Sequence, residues 1–89
     1  MKQIFKVVAQ QEPMTVTKQD GSMLKKCFLV LQEIGNKYEN SYVCALLGND
    51  AESRFYKDEL VVASLRFQHY EYQDKFYNEI TVQEIFKLK

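Results

Sequence analysis

A chain of 89 residues, 46% of them apolar and 27% charged, has the size of one small globular domain covering 1-89. Twelve basic and twelve acidic side chains cancel, which counts against a strongly electrostatic nucleic-acid binder but permits a local basic patch. The N-terminal segment turns polar by Gln10 and no apolar run reaches membrane-spanning length. We therefore expect a cytoplasmic protein that makes no contact with a membrane.

Three strands are predicted in the first half of the chain. A long, bent strand covers Ile4–Thr17, and Pro13 should mark an edge or a bulge because proline lacks a ladder donor. The turn Gln19–Ser22 contains Asp-Gly, which supplies the positive φ of a tight hairpin. A second strand, Leu24–Ile34, alternates its apolar side chains between two faces. The third strand, Ser41–Leu47, is apolar on both faces.

The two cysteines fall on neighbouring predicted strands. With a turn centred near Lys37, Cys44 would face about Leu31 rather than Cys27. That offset puts a disulfide out of reach, and buried free thiols are the better interpretation.

A short helix is predicted over Asn49–Lys57. Asn49 can act as its N-cap, and Glu52 three positions later completes the pattern of a capping box. We expect this helix to plug one end of the sheet through a buried stripe consisting of Ala51, Phe55 and Tyr56.

A hairpin is predicted at the end of the chain. Strand four, Leu60–Phe67, continues into a turn at Gln73-Asp74 and then into strand five. Because two apolar patterns must agree across a hairpin, the register can be predicted. It sets three pairs of residues opposite each other: Leu65 with Val82, Phe67 with Ile80, and Tyr70 with Tyr77. The same alternation points Phe67 inward and places His69 half-buried near the rim.

This order of elements predicts an all-β fold. Three strands, one short α-helix between strands three and four, and a closing hairpin are typical of the five-stranded OB-fold barrel, which is widely used to bind single-stranded nucleic acid.

Several short motifs resemble the bacterial single-stranded DNA-binding protein. More closely, they resemble small bacterial OB-fold domains of unknown function that are distantly related to it. The resemblance covers roughly residues 24–85 and is carried by Leu47–Glu52, Phe55–Val62, Tyr70–Tyr72 and Phe76–Ile80. In the family an aromatic residue that stacks on bases precedes the glycine after strand three, and here that position is Leu47. The family turn Lys-Gly-Asp corresponds to Lys57-Asp58-Glu59, without the glycine.

An OB-fold binds its ligand across strands two and three and the two adjoining loops. Phosphate neutralisation and base stacking are the two requirements for binding a single strand. Phe28 and Tyr72 are the best stacking platforms, followed by Tyr70 and Tyr77. The full candidate nucleic-acid site consists of Lys18, Lys25, Lys26, Phe28, Leu47, Tyr70, Tyr72, Lys75 and Tyr77. So few platforms and lysines predict weak binding with little sequence preference and a modest salt dependence.

Each of these features also has a purely structural interpretation. Phe28 can simply cover the apolar outer face of strand three, and Tyr70 with Tyr77 can be a cross-strand pair that stabilises the hairpin. An exposed apolar surface would instead favour a homodimer or a protein partner. Its residues would be Val30, Val43, Ala45 and Leu47, next to Phe28.

Catalysis and cofactor binding find little support in the sequence. His69 is the only histidine, and no cluster has the spacing of metal ligands. A Cys-His pair would require thiols that we expect in the core. We therefore expect a protein that is not an enzyme, with no cofactor and no metal.

Overall fold

The computed structural model describes residues 2–88 as one antiparallel-rich sheet of six strands, with no α-helix in that range. The strands are β1 (Lys2–Gln10), β2 (Met14–Thr17), β3 (Met23–Glu33), β4 (Ser41–Leu47), β5 (Leu60–Tyr72) and β6 (Lys75–Lys87). One 3-10 helix, Gly48–Glu52, joins β4 to β5. The all-β prediction is confirmed, and the third predicted strand has the observed bounds.

The first predicted strand is divided in two at Pro13. β1 and β2 both pair antiparallel with β3, and the register of β1 shifts between Val7 and Ala9. Such a bulge increases the local bend and twist of a strand. The bend lets β1 pair with β5 along its other edge, from Lys2 opposite Ser64 to Lys6 opposite Leu60.

The sheet closes on itself in a ring. Its strand order is β1-β5-β6-β4-β3-β2, and the additional pairing of β1 with β3 closes a ring of five strands, with β2 attached to β3 outside it. The contact between β4 and β6 is parallel and consists of one residue pair, Ala45 with Thr81. Closure in this way leaves few unpaired backbone groups along the middle of the sheet.

Alternate residues of the strands fill the inside of the ring. Leu29, Leu31 and Leu46 are fully buried there. They pack in one cluster with Phe5, Val7, Cys27, Cys44, Val61, Ala63 and Val82. Fully burying a leucine side chain stabilises a fold by about 1.5–3 kcal/mol, so this cluster is the main stabilising element of so small a chain.

The predicted α-helix over residues 49–57 is wrong. The segment forms a 3-10 helix of five residues in which no side chain caps the N-terminus. Gly48 begins it with φ of 64°, a left-handed conformation that suits glycine. Ala51 and Phe55 are buried as predicted, whereas Tyr56 is exposed. Within residues 2–88, no helix has the length and apolar character that crossing a membrane requires.

Gln10 holds the segment that follows the 3-10 helix against β1. Its side-chain amide donates to the carbonyl oxygen of Ser53 at 2.8 Å and accepts from the backbone N–H of Phe55 at 2.8 Å. These two hydrogen bonds satisfy backbone groups that lie outside any ladder. They fix the depth at which Phe55 enters the end of the ring.

Both cysteines are buried and free. The register of β3 and β4 places Cys44 opposite Leu29, two residues from the predicted partner Leu31, and places Cys27 opposite Leu46. The sequence pattern located the turn only approximately because the 34–40 loop has no single diagnostic turn signature. The Cys27 thiol donates to the carbonyl oxygen of Gln11 at 2.9 Å.

The hairpin of β5 and β6 extends beyond the ring as a two-stranded arm, residues 66–78. The turn at Gln73-Asp74 has φ of 52° and 64°, and all three predicted residue pairs are present. However, every residue of the arm is exposed. The predicted inward position of Phe67 is wrong, since its side chain is 61% exposed, and so is the half-buried position of His69.

The base of the arm rests on the end of the ring through aromatic contacts. The rings of Phe67 and Tyr42 meet edge to face at 5.8 Å, and Tyr42 meets Phe5 at 6.1 Å. The hydroxyl of Tyr42 donates to the carboxylate of Glu33 at 2.7 Å, and this bond raises the pKa of Tyr42. These contacts orient the arm where it leaves the ring.

Burial raises the pKa of the Cys44 thiol to about 12, whereas a thiol in an unfolded chain titrates near pH 8.5. The stabilisation from the protonated thiol is therefore complete below about pH 8.5 and lost as the pH rises toward about 12. We expect the free energy of unfolding to fall between about pH 8.5 and 10. Urea denaturation under reducing conditions measures it, and Cys44→Ala should show a shallower decline; equal slopes in the two proteins would contradict this prediction.

Candidate functional site

A groove crosses the outer surface of four strands and brings together three of the predicted site residues. Lys26 and Phe28 come from β3, and Tyr70 comes from β5 on the arm. Val43 of β4 lies between them, and the groove has a volume of about 220 Å³. This volume lies below the range of about 300–1,000 Å³ that is typical of pockets for drug-sized ligands, so the groove suits a smaller group.

Lys26 and Phe28 act as a unit on one wall of the groove. The ammonium of Lys26 lies 5.2 Å from the centre of the Phe28 ring, within the range of a cation–π interaction. Both residues are half-buried. The contact holds a positive charge over one face of the Phe28 ring and so places a cation and an aromatic ring on the same wall.

The opposite wall is formed by the arm. Tyr70 stacks on Tyr77 with ring centres 5.3 Å apart and planes inclined by 20°. Tyr70 lines the groove, and Tyr77 stacks on it from the neighbouring strand β6. Tyr70 and Tyr77 can stabilise the hairpin as a cross-strand pair while Tyr70 also contacts a ligand, because Tyr77 holds the Tyr70 ring in position.

The remaining predicted basic and aromatic residues lie outside the groove. Lys18 and Lys25 are exposed on the ribbon of β2 and β3. Tyr72 and Lys75 face each other across the tip of the arm, and Tyr72 is 60% exposed. By strand alternation Tyr72 shares its face with Tyr70, so it could meet a ligand that continues past the groove.

The predicted apolar surface is smaller than expected. Ala45 is only 1% exposed because β6 pairs with β4 at this position and Phe28 lies opposite on β3, so the expectation of an exposed Ala45 is wrong. Val30 is half-buried, Val43 is 59% exposed and Leu47 is 36% exposed, opposite Lys26. The outer face therefore presents a groove rather than a flat apolar patch.

Sequence reasoning missed three residues at the groove. Glu79, Asn78 and Ile80 line it from β6, because the parallel contact of β6 with β4 brings them beside Val43. Arg66, on β5, shares the face of Tyr70 by alternation. The predicted hairpin register already placed these residues, but only the closure of the ring shows which of them meet β4.

The side chains that could bind a metal ion do not come together in the part of the chain that the structure describes. No group of three or more histidine, cysteine or acidic residues lies close enough to hold a metal ion within residues 2–88. Compared with models of known families and with curated proteins, the chain has no match.

The stacked tyrosines can be tested as a structural pair. Replacing Tyr70 and Tyr77 by alanine, singly and together, should reveal a coupling energy of about 0.2–1 kcal/mol, as for other cross-strand aromatic pairs. Urea denaturation of the four proteins measures it. A coupling of zero would mean that the two rings do not support each other, and that Tyr70 is held in the groove by other contacts.

Proposed function

We propose that this protein is a non-catalytic OB-fold domain that binds single-stranded DNA weakly and with little sequence preference. The observation that carries the proposal is the groove, which has a volume of about 220 Å³. Phe28, with the ammonium of Lys26 next to its ring, lines one side of it, and Tyr70 lines the other. Stacking and phosphate neutralisation are the two contributions that sequence-tolerant binding of a single strand needs.

Two features of the chain support the OB-fold assignment. Taking β1 with β2 as one bent strand, the ring has five strands, and its closing contact is the parallel pair between β4 and β6. Asp58 has φ of 72° at the position where the related proteins have glycine, so the turn keeps the left-handed backbone that glycine favours. A five-stranded closed sheet and this turn agree with the resemblance to the single-stranded DNA-binding proteins.

The non-catalytic part of the proposal rests on the two thiols. Both are fully buried, and the high pKa of Cys44 keeps that thiol protonated. A thiol acts as a nucleophile only as the thiolate and only when a substrate can reach it. His69, which could activate a thiol, lies on the exposed arm.

Binding should be modest and sensitive to salt. Lys26 is in the groove, and Arg66 and Lys75 lie on the same face of the arm. Three neutralised phosphates give a slope of about −2 for log K against log salt, since single strands contribute roughly −0.7 per phosphate.

Replacing Phe28 and Tyr70 together by alanine should weaken binding to a labelled thirty-base oligo-dT at least tenfold. Each stacked base contributes about 1–3 kcal/mol, and the variant removes both walls of the groove. Fluorescence anisotropy at low and at physiological salt measures the affinity, with duplex DNA of equal length for comparison. The matched control is Tyr56→Ala, which removes an exposed aromatic ring away from the groove. Unchanged affinity in a folded double variant would overturn the site assignment.

A second candidate function is self-assembly, favoured by an exposed apolar surface. Ile4 of β1, Leu60 of β5, Ile34 after β3 and Leu88 after β6 line one depression. Phe86 of β6 extends this surface, because it lies in one row with Val62 and Ile4. An ion pair at its border joins Lys2 to Glu84 at 3.2 Å, and the ammonium of Lys2 also lies over the Phe86 ring. Across a two-fold axis, the positive side chains of one copy can face the negative side chains of the other. The partner in this case would therefore be a second copy of the chain.

If this second function holds, the protein is a dimer in solution and Phe86→Glu dissociates it, because the variant places a charge in the apolar surface. Sedimentation velocity over a range of concentrations measures the oligomeric state. Val43→Asp provides the comparison, since it alters the groove side of the ring. If only Val43→Asp dissociates the dimer, the interface lies at the groove instead. A wild-type protein that stays monomeric at high concentration would rule out self-assembly.

A further inference from the structure

The groove is lined by an acidic residue that has no role in the binding of a phosphate backbone. Glu79 lies on β6, which the sheet order places between β4 and β5, and the residue is half-buried. Within residues 2–88 its carboxylate accepts no hydrogen bond and forms no ion pair. Lys26 lines the same groove, but its ammonium is placed over Phe28 instead.

The carboxylate of Glu79 lines the groove without a partner among the described residues, so it is available to accept hydrogen bonds from a ligand. A phosphate would be repelled by Glu79, so the backbone of a bound strand should follow the cationic side chains Lys26 and Arg66. The edge of the base, stacked between Phe28 and Tyr70, is then the part of the nucleotide that points at Glu79.

The four bases differ in what they offer a carboxylate on the edge that is free in a single strand. Guanine has two adjacent donors, N1–H and the N2 amino group, which match the two oxygens of a carboxylate. Thymine has one N–H between two carbonyl oxygens that repel the carboxylate. Adenine and cytosine each have one amino group next to a ring nitrogen that is an acceptor.

We infer that the groove holds one unpaired guanine, with the carboxylate of Glu79 accepting from its N1–H and N2 amino group and with Phe28 and Tyr70 against its faces. This inference rests on the proposed function and adds to it a preference at one base position. The rest of the strand is bound through stacking and charge, without regard to sequence. Glu79 is therefore a specificity-determining residue in a site whose affinity comes from other side chains.

Fifteen-base oligo-dT carrying one substituted base at its centre provides the test. The substitutions are guanine, hypoxanthine, adenine and cytosine, and a single guanine per strand avoids guanine quadruplexes. We expect the wild-type protein to bind the guanine strand roughly fivefold or more tightly than plain oligo-dT, since one bidentate base contact discriminates at least to this extent. Hypoxanthine keeps N1–H but lacks the amino group, so its affinity should be intermediate.

Glu79→Gln should abolish the preference for guanine and bring oligo-dT binding closer to that of the guanine strand, because the negative charge is removed. The matched control is Glu71→Gln, which makes the same change of charge on the other face of the arm. This control should keep the guanine preference. Circular dichroism and urea midpoints establish that both variants are folded.

The outcomes separate the inference from the proposed function. Binding of oligo-dT that Phe28→Ala weakens, with equal affinity for all central bases, would overturn the role of Glu79 and leave the proposed function standing. A guanine preference that survives Glu79→Gln would also overturn it. Absence of binding to every strand would overturn both.

Discussion

The pairing of Ala45 with Thr81 is the contact on which the ring and its groove depend. It joins β4 to β6 and so converts an open sheet into a closed one. Closure sets β3 and the arm at an angle to each other, and the concave surface between them is the groove. A small side chain suits this position, because Ala45 is buried where three strands come together. The site therefore results from the topology of the sheet rather than from any single motif.

Much of the β-structure could be predicted from local patterns. The hairpin was predicted down to its residue pairs because two apolar alternations and a short polar turn constrain the same register. The third strand was predicted in full because a polar turn and Gly48 bound a continuous apolar run. Lys26, Phe28 and Tyr70, which were predicted as parts of one site from the surface that OB-folds use for binding, all line the groove.

The features that could not be predicted depend on which strands lie next to each other in the folded sheet and on how far each strand extends beyond it. Alternation gives the face on which a side chain lies, but it does not say whether another strand covers that face. Phe67 and His69 were expected inside because β5 was expected to end with the ring, whereas the strand continues into the arm. Ala45 was expected outside because the approach of β6 leaves no local signature. The pattern of a capping box likewise favoured an α-helix, although the chain between β4 and β5 settles as a five-residue 3-10 helix.

The arm has a consequence for how tightly anything can be held beside it. Residues 67–72 of β5 and residues 75–80 of β6 pair only with each other among the described strands, so this part of the hairpin is stabilised locally. Such units open at a lower free energy than the core to which they are attached. A ligand that binds between the arm and β3 must restrict the opening of the arm. Part of the free energy of its contacts therefore offsets the conformational entropy that the arm loses. Stiffening the arm, without adding any contact to the ligand, would for this reason lengthen the time that the ligand stays bound.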